Sequence, residues 1–279
     1  MTVRQRTSFA TFAPALVVGA ATLWTLAPIY WVVASSFKTP GQLFTWPPTY
    51  LPHPLSLANY VEALVHRPLL TYIGNTLVVA LAATSLSVVV AALAAFAMAR
   101  YRFRGRGLVL FATLTVRMLP GLVVALPLFL IFRSLGLVDT RLGLILAYTA
   151  FNVPFNLWLL QGFFAEVPRE IEEAAIVDGC SPWALFWQVM LPLVAPGLVA
   201  AAIFSLILAW NEYGFALILT YTPRSQTLPI ALAGFVADRG VNFSAMMAGG
   251  TIALVPVLFF ALFVQRYLVQ GLTAGAVKG

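Results

Sequence analysis

Six long apolar runs decide what this chain can fold into. They lie at about 12–37, 71–99, 108–132, 142–165, 193–220 and 244–265, and only Arg117 and Glu212 put a charge inside them. Each exceeds the roughly 20 residues that an α-helix needs to cross about 30 Å of hydrocarbon. A membrane β-barrel would instead alternate over segments of about ten residues, so strands are not expected. Charge agrees with length: 9% of residues are charged, against roughly 25% in a soluble domain. The reading is an all-α membrane protein with six transmembrane helices.

Arginine and lysine placement sets the orientation, counted over the short loops. With the N-terminus inside, Arg4, Arg6, Arg100, Arg102, Arg104, Arg106, Arg169, Arg266 and Lys278 are cytoplasmic, against Lys38, Arg67, Arg133, Arg141, Arg224 and Arg239 outside. The cluster at 100–106, hard against a span, weighs more than the total. The net charge of +7 is then a matter of topology, since no aromatic-interleaved basic domain points to nucleic acid. Residues 1–11 read as a cytoplasmic tail, 12–266 as the transmembrane domain and 267–279 as a second cytoplasmic tail. The first run is too long for the apolar core of a signal peptide and reads as a retained helix.

Between the first two spans, Pro40, Pro47, Pro48, Pro52, Pro54 and Pro68 exclude a long helix and imply an ordered external loop. Ser56 is placed to cap a short helix running to Leu64. His53 and His66 read as ordinary loop histidines rather than metal ligands, since no cysteine lies near them. Cys180 is the only cysteine, which rules out an internal disulfide.

Polar residues inside the spans mark where the bundle is special. The second span is rich in alanine and serine, as expected of a helix packed inside a bundle. The third holds Arg117, followed by Pro120 and Pro127, each able to bend or interrupt it. A mid-membrane charge costs about 3 to more than 10 kcal/mol, so Arg117 must face a wet cavity or a partner. Two readings fit it: lining a translocation path, or binding carbonyls freed by the bend. Asn152, Pro154 and Asn156 give the fourth span a polar kinked patch, read as path-facing. Asn211 and Glu212 end the fifth, and they suit either hydrogen bonding to a solute or capping of the helix end. A straight helix puts Glu212 roughly 30 Å beyond Pro192, so an Arg117–Glu212 ion pair is not expected.

Residues 166–192, EVPREIEEAAIVDGCSPWALFWQVMLP, break the apolar pattern. Five of the nine acidic residues fall here: Glu166, Glu170, Glu172, Glu173 and Asp178. Pro168 suits the first position of a helix, whose positive end the following carboxylates favour. Ile171, Ala174 and Ala175 share one side at helical spacing, a small-residue face open to a partner. Gly179 suits a left-handed helix stop. Ser181 and Pro182 then open a second helix over 183–191. Two helices joined by a glycine bend are predicted, on the cytoplasmic side.

The spacing Glu173-Ala174-Ala175, three residues, Gly179, nine residues, Val189, one residue, Leu191-Pro192 resembles the EAA loop of permease subunits in binding-protein-dependent ABC importers. Val189 stands where isoleucine is usual. The stretches 135–140 and 271–279, with Pro154-Phe155 and Trp210-Asn211-Glu212, resemble the carbohydrate branch, of maltose-transporter type. The resemblance implies the type I permease fold with cytoplasmic coupling helices. It implies a second permease subunit, two copies of an ATPase and an extracytoplasmic substrate-binding protein as partners, with ATP and Mg bound only in the ATPase. Glu172, Glu173, Ala174, Ala175, Asp178, Gly179, Leu191 and Pro192 would couple to that ATPase. Arg117, Asn152, Asn156, Asn211 and Glu212 would line the path.

The chain itself has no phosphate-binding G-x-x-x-x-G-K-[ST] loop, no zinc-ligand set and no paired catalytic carboxylates, so a non-catalytic subunit without its own cofactor is expected. Driving a gate from 1:99 to 99:1 needs a partner that favours one state by about 5.5 kcal/mol. The solute is read as a sugar, with a polyol, glycerol phosphate or polyamine as alternatives. A stand-alone secondary transporter would call for inverted repeats and coupling acids within the membrane, and only Glu212 qualifies.

Overall fold

The computed structural model describes residues 3–237 and 242–276, so Arg239 and Lys278 lie outside the described residues. Among these residues every regular element is helical: α1 (Val3–Ser36), α2 (Pro40–Leu43), α3 (Ala58–Val61), α4 (Leu69–Arg100), α5 (Arg106–Met118), α6 (Gly121–Ser134) and α7 (Arg141–Glu166). There follow α8 (Arg169–Val177), α9 (Pro182–Ala184), α10 (Leu191–Leu193), α11 (Ala195–Trp210), α12 (Gly214–Leu219), α13 (Leu228–Ala237) and α14 (Phe243–Ala276). A π-helical turn, Leu185–Met190, joins α9 to α10, and another, Glu62–His66, extends α3.

Four helices are long and apolar enough to cross a membrane unaided, at Pro14–Ser36, Leu69–Arg100, Arg141–Glu166 and Phe243–Phe260. Two more crossings arise if each of two bent pairs counts as one span. The third expected span is α5 and α6, which meet at 101°. Leu119 and Pro120 are both extended there, because proline forbids helix at the residue before it and donates no hydrogen bond. Pro127 leaves α6 unbroken. The fifth span turns by 78° between Leu193 and Ala195 and stops at Trp210, whereas a single helix over 193–220 was expected. The stretches read as tails are helical from Val3 and as far as Ala276.

The chain divides into two compact units. One comprises Met1–Leu69 and Leu232–Val255. Its proline-rich loop is ordered, as the sequence implies. Asn59 Nδ2 donates to the carbonyls of Ser36 and Lys38, each at 2.8 Å. Lys38 is buried, donates to Thr49 O and lies 4.0 Å above the Trp31 ring, and burial lowers its pKa from the usual lysine value. Ser56 accepts from the amide of Ala58 at 3.3 Å, just ahead of α3. His66 pairs with Glu62 at 2.7 Å, and the described residues hold no cluster fit for a metal.

The other unit comprises Leu70–Ala231 and Pro256–Gly279 and has two apolar cores. The first gathers Val79, Ala80 and Ala83 of α4 with Ala147 and Tyr148 of α7, Ala209 of α11 and Phe215, Ala216 and Leu219 of α12. The second gathers Ala91, Ala92, Ala95 and Phe96 of α4 with Leu160 and Phe164 of α7 and Leu185, Phe186 and Met190 of the π turn. Alanines let α4 approach its neighbours closely. One face only is interior, since Leu81, Val89 and Val90 remain exposed.

Candidate functional site

The segment 166–192 folds as two helices around a glycine stop. Pro168 is the N-cap of α8, one position earlier than expected, and Glu170 and Glu172 fill the first turn. At the other end Gly179 adopts φ +87. Its amide donates to Ile176 O at 3.0 Å and that of Cys180 to Ala175 O at 3.0 Å, the paired bonds of a Schellman stop. Ser181 Oγ then accepts from Ala184 N at 3.2 Å and starts the second helix.

The faces differ from the sequence reading. Of the residues read as one small-residue face, Ala175 packs toward the second core while Ile171 and Ala174 stay exposed. Glu173, Asp178, Gly179 and Pro192 are exposed, and Leu191 packs against the core. Glu172 turns inward, where its Oε2 meets Arg100 Nε at 2.9 Å. Past the carboxylates stand Ile176, Val177 and Trp183, 55%, 86% and 65% exposed. The tip of this charged hairpin is therefore apolar and open rather than a packed corner.

A second feature lies deeper in the same unit. Arg117, Tyr148, Phe151, Asn152, Leu208, Ala209, Glu212 and Phe215 line a cavity of about 130 Å³. The guanidinium of Arg117 lies 5.0 Å above Phe151 and 5.5 Å above Phe155, within cation–π range. Both oxygens of Glu212 cap α12, accepting from Phe215 N at 2.8 Å and Ala216 N at 3.2 Å. Arg117 and Glu212 therefore face one cavity, although no ion pair within 4.0 Å joins them among the described residues. The chain bends near Val194 and breaks again after Trp210, so it does not run as the straight helix from which the separation from Pro192 was reckoned.

Two of the residues read as path-lining do not line this cavity. Asn156 is wholly buried, donating to Ser87 Oγ at 3.1 Å and accepting from Ser205 Oγ at 2.8 Å. It braces α4, α7 and α11. Asn211 is exposed and donates to Ile207 O at 2.8 Å, closing its own helix. Asn152 does reach the cavity, with its amide 3.4 Å from Ser205 O.

The sequence reading missed a polar knot around Asp139, in the turn before α7. Its carboxylate accepts from the amides of Tyr221 and Thr222 at 3.0 Å each, from Thr222 Oγ1 at 2.6 Å and from Ser225 Oγ at 2.5 Å. Asn75 at the start of α4 fixes the same loop through Pro223 O and Gln226 O. Desolvation alone would raise the Asp139 pKa, but the bonds from Ser225, Thr222 and the two amides outweigh it and hold the pKa below its ordinary 3.8. A depressed carboxylate stabilises the fold above its unfolded pKa, and that contribution fades as pH falls from there through the folded value. Asp139→Ala is expected to cost about 1–3 kcal/mol at neutral pH. Thermal melting in detergent should show a gap between parent and variant that closes in acid, and parallel curves at every pH would refute the assignment.

Apolar crossings, a charged cavity among them and a projecting acidic hairpin define a subunit of a membrane transport system. The chain belongs to the family described as binding-protein-dependent transport system inner membrane component, whose model matches residues 87–274. It is 41% identical over 253 residues to the probable ABC transporter permease protein y4oR of Sinorhizobium fredii, covering 91% of this chain and 90% of that one. The trehalose transport system permease protein of Mycobacterium tuberculosis is 36% identical over 266 residues, 95% of each chain. Among solved structures, a chain of a bacterial ABC transporter involved in the import of the acidic polysaccharide alginate matches with a TM-score of 0.80 and 24% identity, over 96% of this chain and 99% of that one. The fold is that of an ABC importer permease.

Proposed function

We propose that this chain forms half of the membrane passage of an ABC importer for a saccharide, with ATP hydrolysed, with Mg, in two copies of a separate ATPase subunit. The other half of the passage is a second permease, and an extracytoplasmic binding protein delivers the solute. The observation that supports this most is the hairpin 166–192, whose apolar tip of Ile176, Val177 and Trp183 stands exposed beside the exposed Glu173 and Asp178. The trehalose system's permease supports the saccharide class. Both termini and the hairpin are placed in the cytoplasm, with the Asp139 knot outside. Arg117, Asn152 and Glu212 contribute to the path, where donors, acceptors and aromatic faces suit hydroxyl-rich solutes.

Reconstitution of the co-purified assembly in liposomes, with its binding protein and a panel of sugars, polyols and polyamines, tests the reading. ATP-dependent accumulation of a saccharide is expected, and uptake of none or of a polyamine alone would overturn it. Within that assembly Glu173→Lys places a cation on the exposed side of α8. It is expected to reduce ATPase recovery on a tagged permease several-fold, with unchanged membrane insertion. Full recovery would remove Glu173 from the docking face.

A further inference from the structure

The bond that turns Glu172 away from the docking face has a consequence for transmission. Arg100 is the last residue of α4, and its side chain is only 5% exposed. Nε meets Glu172 Oε2 at 2.9 Å, and Nη2 donates to Val167 O at 2.8 Å, at the end of α7. Glu172 is itself 17% exposed, too enclosed to serve a docked subunit as a primary contact. One guanidinium thus holds the end of α4 to both the start of α8 and the last turn of α7.

Beside this clamp, Phe96 of α4 packs against Phe164 of α7 at 5.7 Å and against Phe186 of the π turn at 5.4 Å between ring centroids. Farther along the same helices, the Ser87–Asn156–Ser205 bonds join α4 to α7 and α11. Covalently, the hairpin connects only α7 and α11, so displacement of α8 reaches α4 through non-covalent contacts, these and the apolar packing of the second core. The nearly buried guanidinium with a carboxylate and a carbonyl is the costliest of them to break, because losing one partner strands the other's charge. Nη2 fixes the direction of the group through Val167 O, while Nε meets the carboxylate as an ion pair without a hydrogen bond of good geometry.

We infer that Arg100 is a positioning residue: it makes α4 part of the lever, so that movement of the docked ATPase turns α4, α7 and α11 as one body. The inference rests on the importer reading above. Without the clamp, α8 would still accept the ATPase, but its motion would reach α4 only in part.

The co-purified full assembly in liposomes tests it, with ATP hydrolysis and solute uptake measured on the same preparation. Arg100→Gln is expected to keep ATPase recovery and hydrolysis within about twofold while the ATP consumed per solute rises about tenfold, the scale of a typical coupling free energy. Arg100→Lys, which keeps the charge and one donor, should fall between. If Arg100→Gln does not yield an intact assembly, Glu172→Gln, which keeps the shape and an acceptor, reads the same ratio and is expected to raise it. An unchanged ratio in the intact variant, or hydrolysis and uptake lost in equal proportion, overturns the proposal. A parent assembly that hydrolyses ATP but accumulates no solute overturns the importer reading instead.

Discussion

Gly179→Val is expected to abolish coupled uptake while the chain still inserts and assembles. Gly179 holds φ +87, and the two hydrogen bonds that end α8 require it. A left-handed conformation costs an L-residue about 1–2 kcal/mol, and a β-branched one more. The cause is purely conformational, since a Cβ built on Gly179 meets nothing within 4 Å. The chain relieves that strain by opening the bend, which swings α8 relative to the helix begun by Ser181. A change of one or two kcal/mol shifts a two-state balance about 5–30-fold, enough to silence a lever without unfolding the bundle. Gly179→Asn, whose side chain tolerates the left-handed region, should retain most activity. Stimulated ATP hydrolysis and uptake at parental levels in the valine variant would show that the angle of the bend does not matter.

What could be read before the structure was known follows the range of the forces involved. The crossings were legible because length and apolarity are local, and so was the hairpin, since Gly179, Ser181 and Pro182 act on neighbouring backbone. The 101° corner at Pro120 was legible as a break, though not as an angle. The bend near Val194 was not, because Pro192 and Pro196 fit the first turns of helices as well as a corner. Sequence separation hid the rest. Arg100 looked like one of four arginines marking the cytoplasmic side, and nothing local pairs it with a carboxylate 72 positions on. Asn156 announced polarity, but only three packed helices reveal whether an amide faces a passage or two serines. Asp139 sat within a stretch noted only for its resemblance, its partners lying 82 to 86 residues away.

Gly143→Ala is expected to be the most destabilising single-methyl change in the bundle. A Cβ there would lie 2.3 Å from the carbonyl oxygen of Leu137 and 3.3 Å from Thr140 Oγ1. The obstacle is backbone, which no rotamer change removes. Leu137 O also accepts from Thr140 Oγ1 at 2.6 Å, and Thr140 Oγ1 in turn caps α7 by accepting from Gly143 N at 3.0 Å. Making room therefore displaces the turn that carries Asp139, two residues beyond Leu137, from the amides of Tyr221 and Thr222. Overpacking of this kind costs about 1–3 kcal/mol or more, and loss of the carboxylate's bonds adds about 1–3 kcal/mol. Gly162 supplies the control within the same helix: nothing lies within 4 Å of its Cβ position, so Gly162→Ala should be neutral or slightly stabilising. Melting of the two variants in detergent separates a packing effect from a general intolerance of alanine in α7. Equal melting temperatures would mean that the turn before α7 yields freely, and the Asp139 knot could then not be what holds the loop at 221–225 in place.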